Sequence, residues 1–276
     1  MRLSIFTTIT DPSKRGDNAK DALACYEELA DELVVVDGSR KESRINAVHK
    51  GNRVNVDRVW PKEFSWEFIG QQFQRGYEAS TGDWVIHADL DFIFHERDFA
   101  RIRQLMIDNP NTPAMSFYKH QFIQPDRYNL KSRIVLAVNK KLLGNRIKFD
   151  SGGDMCQPSL DGRELKPDYA MESGVAIYNY DKLLKTEVQV RDDVSRMARA
   201  WKRRFNSDLL GHDEDSAYME WAKMVFGRYG KPQEKIPLSA HPKFVQETIK
   251  NLTPDQFGYN GFGMFPDNNY VQEASK

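Results

Sequence analysis

Three short runs of apolar and β-branched residues constrain this chain more than any other feature: Leu3–Thr8, Leu33–Val36 and Trp84–Ala88. Runs that do not alternate with polar residues are buried on both faces, the pattern of strands inside a parallel sheet. Between them lie helical stretches. Asp17 or Asn18 can cap a helix reaching about Ala30, with Ala22, Leu23, Tyr26 and Leu29 on one face. Trp66–Ser80 reads as a second helix, with Gly82 just past its end. Val54–Val59, stopped by Pro61, is a further candidate strand. This alternation predicts an α/β fold with a mainly parallel sheet flanked by helices.

In open sheets of this kind, ligands bind beyond the carboxyl ends of the strands. Three polar features fall there: Thr7-Thr8, Asp37-Gly38-Ser39 and Asp89-Leu90-Asp91. Two carboxylates flanking one residue at a strand end can share a hard divalent cation, Mg2+ or Mn2+, which keeps positions open for phosphate. The competing reading is a plain turn with an Asx cap. Asp37 can accept a hydrogen bond from a base or ribose, and Gly38 lets backbone approach a ligand; an ordinary β-turn would use the same residues. His87, inside the third run, reads as a satisfied core histidine.

Bulk properties exclude other classes. Lys plus Arg and Asp plus Glu are 40 each, so the formal charge is zero and no nucleic-acid partner is expected. The basic cluster Lys202-Arg203-Arg204 reads as a solvated helix face. Neither of the two cysteines, Cys25 and Cys156, has metal-ligand spacing, and Cys25 lies on a predicted helix as a small core residue. No run approaches the roughly 20 apolar residues of a membrane helix, and Asp11 and Lys14 interrupt the first apolar run before a signal-peptide core forms. A cytoplasmic location is expected.

The second half is less regular. Helices are predicted over Asp98–Ile107, Asp192–Arg204 and Asp215–Phe226, and strands over Met115–Phe122, Arg133–Val138 and Gly174–Tyr180. Asp150–Glu172, rich in Gly, Pro and Asp, reads as a long loop over the site, with Asp150-Ser151-Gly152-Gly153-Asp154 able to close on a ligand. Gly258, Gly261, Gly263 and Pro266 indicate an irregular tail. Trp60, Phe64, Trp66 and Phe68 around Pro61 serve either core packing or stacking on a sugar. Without a clear linker, 1–276 is expected to be one domain.

The strand ending in Thr7-Thr8, Val35-Val36-Asp37-Gly38-Ser39, the segment Gln72–Trp84 and His87-Ala88-Asp89-Leu90-Asp91 resemble the GT-A glycosyltransferases, most closely the family-2 inverting group. The resemblance covers roughly the first hundred residues, and it implies that 1–100 bind the nucleotide and 101–276 face the acceptor. It implies a Rossmann-like GT-A fold with an irregular acceptor-side region, a nucleotide-sugar donor (often a UDP-sugar), Mn2+ or Mg2+, and a carbohydrate or other hydroxyl acceptor. By resemblance Thr7, Thr8, Asp37, Ser39, Gln72 and Arg75 contact the donor nucleotide, and Asp89 and Asp91 hold metal and diphosphate. A late histidine, His241 before Pro242, would complete the metal shell. Gly211-His212-Asp213-Glu214-Asp215 is similar to the family's Glu-Asp motif and makes Asp213 the candidate base, with Glu172 as competitor. Asp213 also opens a predicted helix, where acidic residues are favoured by the dipole alone. Phe92 and Gln74 depart from the family pattern, in which an acidic residue and an Asn are common. The alternatives are a sugar-nucleotide nucleotidyltransferase, whose Gly-rich loop residues 9–16 match poorly, and a non-catalytic carbohydrate-binding module.

Overall fold

The computed structural model describes residues 1–40, 53–55, 59–63, 65–150, 157–229 and 233–264. The chain runs β1 (Leu3–Ile9), α1 (Pro12–Arg15), α2 (Ala19–Leu29), β2 (Glu32–Asp37), β3 (Arg53–Asn55), α3 (Trp66–Ala79), β4 (Trp84–His87), β5 (Phe92–Phe94), α4 (Phe99–Asp108), β6 (Ala114–Gln124) and β7 (Arg127–Asn139). It continues with α5 (Lys140–Leu143), β8 (Ile147–Lys148), β9 (Ser159–Leu160), β10 (Arg163–Glu164), β11 (Met171–Asn179), α6 (Glu187–Phe205), α7 (Glu214–Tyr229), β12 (Glu234–Lys235), α8 (Lys243–Lys250) and α9 (Phe257–Asn260).

The main sheet has the order β3-β2-β1-β4-β7-β6-β11-β5, with β12 added to β7. From β3 to β4 every pairing is parallel, as the unbroken apolar runs require. The second half mixes directions: β7 runs antiparallel to β4 and β6, β11 is parallel to β6, and β5 is antiparallel to β11. The result is a mixed α/β, Rossmann-like sheet. A separate small sheet, β10-β9-β8, occupies part of the segment expected to be loop. Residues 151–156, with Asp154 and Cys156, lie outside the described residues, as do residues 56–58 of the Val54–Val59 run.

Each face of the parallel half has its own cover. Leu3, Ile5, Ile9, Leu33, Val35, Trp84 and Ile86 pack toward α2, α4 and α8. Phe6, Val34 and Val85 pack against Phe73 and Tyr77 of α3. α3 begins where Ser65 Oγ accepts the Phe68 amide at 3.2 Å, and it lies close on β1. A Cβ on Gly76 would sit 2.4 Å from the Phe6 ring, so glycine sets that approach. Cys25 is buried on α2, as expected, its Sγ donating to Phe94 O at 3.4 Å.

One joint bends the whole sheet. Phe92 N donates to Asp89 O at 2.9 Å, closing a β-turn between β4 and β5. The ends of such a turn are within about 7 Å. Yet four strand spacings separate β4 from β5 along the sheet, about 19 Å if it were flat. The β7–β6–β11 half must therefore curl round. β4 pairs only with Ala137–Asn139 of β7, so β7 and β6 run on past it as an arm. Irregularities in the β6–β7 register accommodate the bend.

A buried ion network ties the two halves together. Asp193 of α6 meets Lys185 at 2.8 Å, Lys182 at 3.2 Å, Arg196 at 2.6 Å and Arg15 at 3.5 Å, while Lys185 also reaches Asp17 at 2.5 Å. Burial alone would raise the Asp193 carboxyl, but Lys182, Lys185 and Arg15 hold it far below the usual carboxylate range. The unfolded chain takes up this proton near pH 4, whereas the folded chain does so only at much lower pH. The contribution is therefore complete above about pH 4 and is lost as pH falls below it. Asp193→Asn should cost about 3 kcal/mol in urea unfolding at pH 7, and the difference from wild type should shrink in acid.

Candidate functional site

The carboxyl ends of β1, β2 and β4 meet at one edge, and the first-half residues expected to act there are positioned by backbone stitching. Gly38 N donates to Ile9 O at 2.9 Å, Asp11 N to Ser39 Oγ at 2.8 Å and Arg40 N to Asp11 Oδ1 at 3.1 Å. Asp37 Oδ1 accepts from Ser39 N at 2.9 Å, so its side chain shapes the turn it starts. A Cβ on Gly38 would collide with the Trp60 ring at 1.9 Å. Thr7, Asp37, Ser39 and Gln72 are fully buried, Thr8 and Arg75 partly so. Thr7 Oγ1 and both side-chain amide atoms of Gln72 have no hydrogen-bond partner among the described residues.

The Asp89–Phe92 turn lies beside them. Leu90, 8 % exposed, plugs the core, and this turns its two neighbours out of it. Tyr26, wholly buried on α2, places its hydroxyl 2.5 Å from Asp89 O and 2.7 Å from Phe92 O, so α2 clamps both ends of the turn. The Asp89 side chain is 24 % exposed, and its Oδ1 lies 3.2 Å from His87 Nε2. His87 stacks on Phe6 with centroids 5.0 Å apart and approaches Phe73 at 4.0 Å, so the ring belongs to the core as expected, but it is not satisfied: its Nε2, turned to the site, makes no hydrogen bond among the described residues.

Asp91 is more enclosed. Asn179 Nδ2, at the end of β11, donates to its Oδ2 at 2.5 Å. Burial, then the charges of Asp181 and Asp89, push its carboxyl up to about 7, while Lys119 and Lys182 pull the other way. Three carboxylates therefore crowd one corner, a surplus of negative charge that a cation would relieve. Among the described residues no group of three His, Cys, Asp or Glu side chains forms a ready-made cage. Two aspartates with hard oxygen donors nevertheless fit Mg2+ or Mn2+, which are commonly held by one or two carboxylates, water and substrate phosphate.

The structure corrects three expectations for the second half. His241 is fully buried, and both ring nitrogens are engaged: Nδ1 with Tyr180 OH at 2.8 Å and Nε2 with Pro125 O at 2.7 Å. No ring nitrogen is left for a metal; the apolar stretch before His241 leads it into the core. Asp213 caps α7. Its Oδ1 accepts from Ser216 N at 2.8 Å and Ser216 Oγ at 2.7 Å, and these bonds hold the carboxyl below its ordinary value, which weakens it as a base. Glu172 stands at the start of β11, the opposite end from Asn179, bonded to Tyr118 OH and 3.3 Å from Arg133. Sequence reading missed Tyr26, Lys119, Asp181 and Lys182, and gave Asn179 no role. The signal was present in Tyr178-Asn179-Tyr180-Asp181, polar residues at a strand's carboxyl end, but Asn179 stands where a subgroup of these transferases often has a His, so the resemblance gave it no metal role.

Solved structures of nucleotide-sugar enzymes align with the chain. S. aureus TarS in complex with UDP-GlcNAc matches over 99 % of this chain and 88 % of its own, at 12 % identity and TM-score 0.39. Glucosyl-3-phosphoglycerate synthase from Mycobacterium tuberculosis, in complex with Mn2+, UDP and glucosyl-3-phosphoglycerate, matches over 74 % and 80 %, at 14 % identity and TM-score 0.38. The mannosyltransferase PcManGT from Pyrobaculum calidifontis, with GDP-Man and Mn2+, matches over 99 % and 86 %, at 12 % identity and TM-score 0.37. No family model and no curated protein matches the sequence. Among the described residues no helix is long and apolar enough to cross a membrane.

Tyr26→Phe removes the hydroxyl between the two carbonyls without changing the ring. It should lower stability by about 1–2 kcal/mol in chemical denaturation. Cys25→Ala, whose thiol leaves the turn untouched, should not loosen hydrogen-exchange protection of the Phe92 amide, whereas Tyr26→Phe should.

Proposed function

We propose that this chain is a metal-dependent glycosyltransferase that moves a sugar from a nucleotide-sugar donor, of which a UDP-sugar is the first candidate, to a hydroxyl acceptor. The observation that carries the reading is the pair of carboxyls either side of buried Leu90, in the turn where β4 ends beside β1 and β2. Thr8, Asp37 and Gln72 on that edge are the residues for the base and ribose, with Thr7, Ser39 and Arg75 supporting them. Asp89 and Asp91 would hold the cation. When bound, it would neutralise the diphosphate as the leaving group departs. Residues 1–100 thus serve the nucleotide, and the arm of β6, β7 and β11 faces what the diphosphate carries.

The remaining residues bind and orient. Asn179 fixes one oxygen of Asp91, and Tyr26 holds the backbone of Asp89. Inversion at the anomeric carbon is what the sequence resemblance implies, and it needs a base on the acceptor side. Asp213 is spent on capping and Glu172 lies at the wrong end of β11. A nucleotidyltransferase would want free cationic groups after β1, but Arg15 there is committed to Asp17 and Asp193.

The test is binding and turnover with Mn2+. UDP or GDP should raise the melting temperature more with Mn2+ than without it, and a nucleotide sugar should release nucleoside diphosphate slowly to water. Asp89→Asn should weaken Mn2+-dependent nucleotide binding at least about tenfold, about 1.4 kcal/mol, while Asp213→Asn leaves it unchanged. Equal binding by wild type and Asp89→Asn would contradict the assignment.

A further inference from the structure

The β6–β7 arm carries an unusual set of buried amides. Asn179, Gln121 and Asn129 are direct register partners across β11, β6 and β7. Directly paired residues show their side chains on the same face. Gln124 pairs with Arg127, two residues before Asn129, and the register shift between Phe122 and Gln124 brings Gln124 to that face too. The row begins at Asp91, through the Asn179 bond, and leads away from it.

These amides are unsatisfied. Gln124 is fully buried, and neither its Oε1 nor its Nε2 has a partner among the described residues. Asn129, 6 % exposed, leaves Nδ2 unpartnered, and Gln121 leaves Oε1 unpartnered. Buried polar atoms of this kind are rare, since each costs about 1–3 kcal/mol. Gln121 is only half-buried and stands between Asn179 and Asn129, so the row opens at its middle. The orphaned atoms include both donors and acceptors and carry no charge. A phosphate would want the cation, and a cation would want carboxylates. A hydroxyl both donates and accepts, so neighbouring hydroxyls of a pyranose match a row of side-chain amides.

We infer that Gln121, Gln124 and Asn129, continuing from Asn179, form the subsite for the hydroxyls of the transferred sugar. This rests on the nucleotide-sugar reading above and adds to it the group recognised next to the diphosphate. The residues hold the sugar; none takes part in bond making.

The test compares ligands that differ only by the sugar. Dissociation constants are measured with Mn2+ for UDP against UDP-GlcNAc and UDP-glucose, and for GDP against GDP-mannose. Wild type should bind one nucleotide sugar more tightly than its nucleoside diphosphate. Gln124→Leu and Asn129→Leu, close in size, and Gln121→Ala at the half-buried position, should each weaken that nucleotide sugar about tenfold and leave the diphosphate within about twofold. Unchanged affinity for both, with raised melting temperature in the leucine variants, would show that the amides hold only water and overturn the subsite. Equal loss of both ligands would overturn it as well, since the amides would then act on the fold. Wild type gaining nothing from any sugar overturns the subsite alone, whereas wild type binding no nucleotide at all overturns the enzyme reading beneath it.

Discussion

The hydrogen bond from Phe92 N to Asp89 O, 2.9 Å long, closes the turn on which both fold and site depend. It joins two strands that stand four places apart in one sheet. The sheet satisfies both conditions only by curling, and the curl gives it a concave side. Leu90 enters the core within this turn, so Asp89 and Asp91 must leave it. Tyr26 then fixes the turn from α2 by reaching both carbonyls. A mechanical requirement of the chain path thus delivers two carboxyls to the edge where β1 and β2 also end.

Charge follows from that geometry. Asp91 is crowded by Asp181 and Asp89 and tempered by Lys119 and Lys182. Lys182 belongs in turn to the network centred on Asp193, which reaches back to Arg15 and Asp17 after β1. The corner facing the proposed diphosphate is therefore wired into the salt bridges that hold the two halves of the molecule together. Its excess negative charge is local, in a chain whose formal charge is zero.

Local pattern was enough for the parallel half. Leu3–Thr8, Leu33–Val36 and Trp84–Ala88 are strands because unbroken apolar runs need cover on both faces, and the helices between them provide it. β5, β8–β10 and β12 escaped notice because two- and three-residue strands carry no periodicity. The curl was invisible for another reason: it arises from the pairing order of distant strands. The same limit explains His241 and Asp213. Residue type suggested a ligand and a base, but only packing reveals that both nitrogens of His241 are bonded and that Asp213 caps a helix. Asn179 was legible as a polar strand end, but its place beside Asp91 depends on the curl.

A crystal structure of the protein with Mn2+ and a nucleoside diphosphate tests the central claim most directly. The account predicts an anomalous manganese peak shared by Asp89, Asp91 and phosphate oxygens, at the turn clamped by Tyr26. Manganese bound elsewhere, or a diphosphate held away from this turn with Asp89 and Asp91 both unligated, would contradict it.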